Sequence, residues 1–203
     1  MTPTSPPPAG LRARKKADTR QALAAAALRL ATEVGPDHVT VDDIAAAAGV
    51  SPRTFFNYFS SKEDALVGVD PDRRAELLGR LLDRPADEAP LDALRHAVIG
   101  GAETFEQRAE EWSARMRLVR EHDSLVPRYA ASFHDVEQVL ILAIADRLGL
   151  DPEIDVYPAL VVGVALTAMR VALKQWDATG HATPLVERID AAFDAIAQGL
   201  PRP

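Results

Sequence analysis

Residues 39–66 read VTVDDIAAAAGVSPRTFFNYFSSKEDAL, two short runs with helical spacing on either side of a glycine. Thr40 followed by Asp43 has the spacing of a capping box, in which a hydroxyl and a carboxylate each take a backbone N–H at a helix start. Val41, Ile44 and Ala48 then supply the inner face of a short helix. Gly49 stands where the chain must leave that helix in a left-handed conformation, Val50 is an apolar plug, Ser51 is a capping residue and Pro52 takes the first helical position. Another short helix therefore begins at once. Two helices joined by a glycine-centred turn form the arrangement in which the second can enter a DNA major groove.

The faces of that second helix follow from its period. At about 100° per residue, Phe55 and Phe59 project within about 40° of each other and point inward, with Pro52 and Phe56 on one flank. Arg53 and Asn57 lie opposite, where they have the geometry to read guanine and adenine edges. Thr54 and Tyr58 fall on the remaining flank, where hydroxyls reach phosphates. A helix of about seven or eight residues that exposes Arg, Thr, Asn and Tyr, and anchors itself by aromatics, is poorly explained by stability alone. Lys62 follows at the next helix start, where Ser60 and Glu63 form a second capping box that leads through Leu66 toward Val69 before Asp70-Pro71 interrupts it.

Upstream, the apolar spacing from Arg14 to Val34 is helical, with Leu23, Ala27, Leu30, Ala31 and Val34 on one stripe and Gly35-Pro36 as the stop. The Pro-, Ser- and Thr-rich opening predicts a mobile arm over 1–13. Its basic cluster, Arg12, Arg14, Lys15 and Lys16, fits either DNA backbone contact or a solvated tail. Downstream, helical periodicity continues over Arg73–Leu82, Leu91–Phe105, Glu110–Arg120, Arg128–Leu148, Ile154–Trp176 and Leu185–Leu200, and no stretch alternates as a strand would. The expected fold is all-α, with a helix-turn-helix domain over 14–70 and a larger helical domain over 71–203.

Bulk properties narrow the functions. With 203 residues and 47% hydrophobic content, the chain can bury a real core. It has no cysteine, which removes disulfides, thiolate metal sites and cysteine nucleophiles and suits a cytoplasmic protein. Met1–Gly10 lacks the apolar core of a signal peptide, and the apolar window Ala159–Ala168 is about half the ~20 residues of a membrane span, so no membrane partner is expected. The net charge of −7 hides a division: residues 1–62 carry eight Lys/Arg against five Asp/Glu, and residues 63–203 carry fifteen against twenty-five. A basic end on an acidic body presents one face to phosphates.

The 39–66 segment resembles the TetR family of bacterial transcription regulators, whose common form is an IA..AGVS..T.Y.YF.SKE.L run. Ile44, Ala45, Ala48, Gly49, Val50, Ser51, Thr54, Tyr58, Phe59, Ser61, Lys62, Glu63 and Leu66 match. DNA contacts are expected from Thr40, Ser51, Pro52, Arg53, Thr54, Asn57, Tyr58 and Lys62, and the resemblance implies that Thr54, Tyr58 and Lys62 hold phosphates. Phe56 departs from the family's frequent tyrosine, which leaves it to packing or to a thymine methyl. The family's helical C-terminal domain binds a small molecule and dimerises through two helices packed as a four-helix bundle. "FFNYFSSKEDA" and Val126–Leu148 also look like the subgroup with an acyl-CoA-like ligand-binding domain.

The acidic body offers residues for both tasks. Ala159, Gly163 and Thr167 repeat at four-residue spacing and permit close backbone approach, and Ile189, Ala192, Phe193, Ile196 and Leu200 form a stripe on the last helix; these are the expected dimer surfaces. Phe105, Trp112, Met116, Tyr129, Phe133, Met169 and Trp176 are the candidates to line an effector cavity. Arg117, Arg120 and Arg170 are the cations that could take a carboxylate or phosphate. The competing function is a helical enzyme or carrier using His96, His122, His134 and His181, but the sequence holds no H-E-x-x-H, G-x-S-x-G or phosphate-cradling glycine loop. No cofactor and no metal is expected. The leading reading is a dimeric, operator-binding repressor released by a small molecule; repression and activation are not separable at this level.

Overall fold

The computed structural model describes residues 9–200, with side chains from Arg14 onward. Among the described residues all regular structure is helical. The helices are α1 (Ala9–Val34), α2 (Val41–Ala47), α3 (Pro52–Phe56), α4 (Lys62–Val67), α5 (Pro71–Leu82), α6 (Pro90–Ile99), α7 (Ala102–Glu106), α8 (Ala109–Glu121), α9 (Val126–Leu148), α10 (Val156–Ala178) and α11 (Leu185–Ala197), with 3₁₀ turns at Pro36–His38 and Asp123–Leu125.

Two compact units form. Of the described residues, one combines those up to Val69 with Ala114–Tyr129; the other combines Asp70–Ser113 with those from Ala130 onward. The first unit thus takes in parts of α8 and α9, a segment that the sequence reading assigns to the second domain. Its core gathers Leu23, Ala27 and Ala31 of α1, Ile44 of α2, Phe55, Phe59, and Leu66 of α4, all buried. Val34, expected on the same stripe as Leu23, is 53% exposed, because the chain turns away at Gly35 (φ 84°). Of the expected arm, residues 1–8 and the side chain of Arg12 lie outside what is described, whereas Ala9–Ala13 already belong to α1. Alanine, arginine and lysine are strong helix formers, and no proline interrupts them there.

The second unit is built on α10. Val161, Val162, Ala165, Ala168, Ala172 and Trp176 turn inward against Leu94 and Val98 of α6, Leu140 and Ile144 of α9, and Leu185, Ile189 and Phe193 of α11. By length and composition α10 could cross a membrane; here its inner face fills a protein core. Two sequence expectations change. The helix expected over Leu91–Phe105 breaks at Gly100-Gly101, where the Arg80 side chain lies within 2.7–2.8 Å of where glycine Cβ atoms would stand. Its Nε donates to the Ala97 carbonyl at 2.8 Å. Ile189 and Phe193, expected at a dimer surface, are each 1% exposed and belong to the protomer core, and Ile196 packs partly buried against it. An amphipathic stripe reports that a face is covered, not by what.

Candidate nucleic-acid interface

The helix-turn-helix is assembled by its caps. Thr40 Oγ1 accepts from the Asp43 N–H at 3.2 Å, and Asp43 Oδ2 accepts from the Thr40 N–H and hydroxyl at 3.0 and 2.6 Å. These bonds hold the Asp43 carboxyl below its ordinary range, the Thr40 hydroxyl contributing most. At the turn, Gly49 takes φ 69° and the Val50 N–H returns to the Ala45 carbonyl at 2.9 Å, a C-terminal closure that a β-carbon at Gly49 would strain. Ser51 Oγ then accepts from the Thr54 N–H at 3.1 Å, and Pro52 opens α3.

Inside α3, Phe55 (0% exposed) and Phe59 (4%) anchor the helix, their ring centroids 5.6 Å apart. Outside, Ser51, Pro52, Arg53, Phe56 and Asn57 are exposed, and Thr54 and Tyr58 are half-buried. Arg53 and Asn57 therefore share the outer surface that the helical period assigns to them. Phe56 is 58% exposed, its ring edge-on to Phe55 at 5.5 Å. It presents an aromatic to the outside rather than filling the core.

Three details differ from expectation. The regular part of α3 has five residues, not seven or eight, because Asn57 is its C-cap. The Asn57 and Tyr58 N–H groups tighten to i−3 carbonyls at 3.1 and 2.9 Å, which carries Phe59 back under the helix. The cap of α4 is Ser61, whose Oγ accepts from the Asp64 N–H at 3.2 Å; Ser60 instead gives its N–H to Asp64 Oδ2 at 3.1 Å. Lys62 does not point outward: its Nζ donates to the carbonyls of Pro36 at 2.9 Å and Val39 at 3.1 Å. Nothing in the local pattern signals partners 23 and 26 residues upstream. The hydroxyls of Thr40, Ser51 and Thr54 are likewise used locally, Ser51 with Thr54 at 2.9 Å. Of the basic cluster, Arg14, Lys15 and Lys16 are exposed on α1.

The effector candidates separate. Met116 (buried), Arg120 (exposed) and Tyr129 (half-buried) belong to the first unit. In the second, Phe105 and Trp112 meet edge-to-face at 5.4 Å and pack with Met169 against the core. Trp176 is fully buried, Phe133 is half-buried and Arg170 is exposed, as is Arg117 of the first unit. The Trp112 indole Nε1 is buried without a hydrogen-bond acceptor. Ser113 and Asp177, which the sequence does not single out, join His181 in a polar group beside these aromatics. Ser113 Oγ donates to Asp177 and meets His181 Nε2 at 3.1 Å, and the His181 ring lies 4.2 Å from that of Trp176. Asp177 here engages the serine, not histidine Nδ1, so the three groups do not line up as a nucleophilic triad. Among the described residues no group of three or more His, Asp or Glu is placed to hold a metal ion.

Comparison with known proteins settles the family. Residues 23–67 match the family model described as bacterial regulatory proteins, tetR family, and residues 88–201 match the MftR C-terminal domain. The chain belongs to the TetR family of bacterial transcription regulators. It is 35% identical to the HTH-type transcriptional regulator TcmR of Streptomyces glaucescens over 206 residues, which covers 98% of this chain and 88% of the relative. With MftR of Mycobacterium tuberculosis, a transcriptional regulator named for mycofactocin biosynthesis, identity is 30% over 190 residues, covering 93% and 94%. In fold it resembles Thermus thermophilus FadR in complex with lauroyl-CoA, with a TM-score of 0.50, 22% identity, and coverage of 91% and 96%. For this TetR-family chain, then, the helix-turn-helix over α2 and α3 is the DNA-binding element of a transcription regulator.

Proposed function

We propose that the protein is a cytoplasmic, non-enzymatic repressor that binds a palindromic operator as a homodimer and is released by a small apolar or acyl-type effector. The observation that carries this reading is the outer surface of α3, where Arg53 and Asn57 stand clear of the protein while Phe55 and Phe59 anchor the helix from behind. Arg53 reads a guanine and Asn57 an adenine through paired hydrogen bonds, and Phe56 offers an apolar contact to a thymine methyl. Tyr58 and the start of α3 lie along the phosphates.

Five residues make too few base contacts for operator-grade specificity, so two copies held about 34–36 Å apart, or a close multiple, are required. The outer face of α10 supports the dimer. Ala159 and Thr167 are exposed, Gly163 is half-buried, and Leu160 and Val171 leave 58% and 37% of their surface uncovered. With Ile189 and Phe193 in the core, this face carries the contact. For the effector, Phe105, Trp112 and Met169 supply apolar surface, and the unpaired indole N–H of Trp112 offers one donor. The lauroyl-CoA complex of FadR favours an acyl group as the first class to try.

The test is selection of duplexes from a random library by the full-length protein. A palindromic consensus with half-sites one helical turn apart is expected. Arg53→Ala should weaken that duplex by about 1–3 kcal/mol and relax preference at one base pair. Equal weakening on every sequence would remove the base-reading role, and failure to enrich any sequence would remove the function.

A further inference from the structure

Among the described residues three charged side chains are buried, Arg20, Asp64 and Arg115, and all three meet at α4 or at Val69 just beyond its cap. We infer that Arg115 and Arg128, more than forty residues beyond the helix-turn-helix in sequence, are positioning residues for DNA reading that fix α4 and, through it, α3. This deepens the proposed function and rests on it.

A helix of six residues has no stability of its own; side chains from elsewhere hold α4 at several points. Arg128 Nε donates to Asp64 Oδ1, and the other oxygen of that carboxylate takes the Ser60 N–H. Arg115 Nε donates to the Leu66 carbonyl at 3.1 Å, and Arg20 Nη1 to that of Val69 at 3.3 Å. Cations at the carboxyl end of a helix suit its dipole. Gly68 makes room for one of them: at φ 75° it caps α4, and a Cβ there would stand 2.8 Å from the Arg115 guanidinium. Substitution at Gly68 would strain the backbone and displace that arginine.

From α4 the constraint passes to both helices of the helix-turn-helix. Ser60, pinned by Asp64, directly follows Phe59, the inner anchor of α3. Lys62 grips the carbonyl of Val39, one residue before the cap of α2. The Arg20 guanidinium, 4.9 Å above the Phe59 ring, closes the same joint from α1. A charge buried with its partner removed is poorly tolerated, so loss of Arg128 leaves Asp64 to find another arrangement, and Ser60 moves with it.

The test uses full-length protein, the duplex selected by the wild type and a random duplex, with amide exchange over residues 53–67. Arg128→Gln should weaken the selected duplex roughly tenfold, leave random-duplex binding within about twofold, and speed exchange at 57–61. Arg128→Lys should recover part of the loss, and Asp64→Asn with Arg128→Gln should lose no more than either alone, because the pair acts as one unit. If Arg128→Gln binds both duplexes like the wild type, or loses both in equal proportion as its melting temperature falls, the inference is wrong. A library from which the wild type recovers nothing overturns the proposed function, and this inference with it; recovery by the wild type matched by the variant overturns the inference alone.

Discussion

Replacing Lys62 with methionine distinguishes two roles for the residue. The family resemblance assigns Lys62 to a phosphate; the structure has it clasping two backbone carbonyls, of Pro36 and Val39, at 2.9 and 3.1 Å. Methionine keeps the length and apolar stem and removes the ammonium. A hydrogen bond to a charged donor is worth about 1.5–3 kcal/mol net. The two bonds share one ammonium whose side chain is half-buried, so together they contribute less than twice the single-bond value, about 2–3 kcal/mol. For a chain of this size each kcal/mol moves the melting temperature by roughly 2–4 °C, so Lys62→Met should melt about 4–12 °C lower. The assay is thermal unfolding by circular dichroism, run beside the salt dependence of random-duplex binding. A phosphate contact alone would leave the melting temperature within about 1 °C and flatten the salt slope by about one unit. That pattern would refute the carbonyl clasp as the main role of Lys62.

Leu160→Glu, on the uncovered face of α10, should give a folded monomer by sedimentation, with helical content retained and affinity for the selected duplex lost; a persistent dimer would move the interface elsewhere. Phe193→Ala should instead destabilise the protomer by about 3–5 kcal/mol, as core phenylalanines do, and a variant that melts like the wild type would contradict its placement in the core. Glu88 accepts two hydrogen bonds from Arg84, each at 2.7 Å, and its other neighbour is His96 Nδ1 at 2.7 Å. The Arg84 bond, foremost, lowers its pKa from 4.5 to about 2. Because the folded value is the lower one, the stabilisation is complete above the unfolded value and is lost as pH falls from there through about 2. The melting-temperature gap between wild type and Glu88→Gln should therefore narrow from pH 6 to pH 3, and a constant gap would show that the carboxylate's charge is not what the pair uses.

What the sequence made legible is what is local. The Thr40–Asp43 cap, the Gly49 turn, the Ser51-Pro52 start and the inward Phe55 and Phe59 each follow from residues within four positions of one another, and each appears in the structure. What stayed hidden is long-range pairing. Asp64 reads as an ordinary acid in a helix's first turn until Arg128 arrives from 64 residues away. Lys62 reads as a surface cation until Pro36 and Val39 are beneath it. The shift of the α4 cap from Ser60 to Ser61 belongs to the same class: both serines satisfy the local rule, and the Asp64 carboxylate, tied to Arg128, takes the Ser60 N–H. Effector candidates were not separable from core residues in the sequence, because aromatic and methionine spacing is what core packing itself produces.

The apolar character of α10 ties the proposed dimer to the proposed reading of DNA. A helix that only lined the protomer core would be expected to carry polar residues on its outer side. Here the inner Val161, Val162, Ala165 and Ala168 alternate with Leu160, Gly163, Val164 and Thr167, so the helix is apolar or small nearly all round over these turns. Exposed apolar side chains scattered singly are ordinary, but Val156, Tyr157, Leu160 and Val171 recur along one helix, each more than a third exposed. Small residues among them let a second backbone approach closely, as a four-helix contact between two copies requires. The short α3 meets a separate need, since Arg53 and Asn57 alone cannot single out one site among many. One contact would answer both: pairing two copies through α10, as proposed, would cover the apolar face and double the base-reading set at fixed spacing. On this argument, loss of Leu160 and loss of Arg53 weaken the same specific complex by different routes, the first by separating the copies and the second by blinding each one.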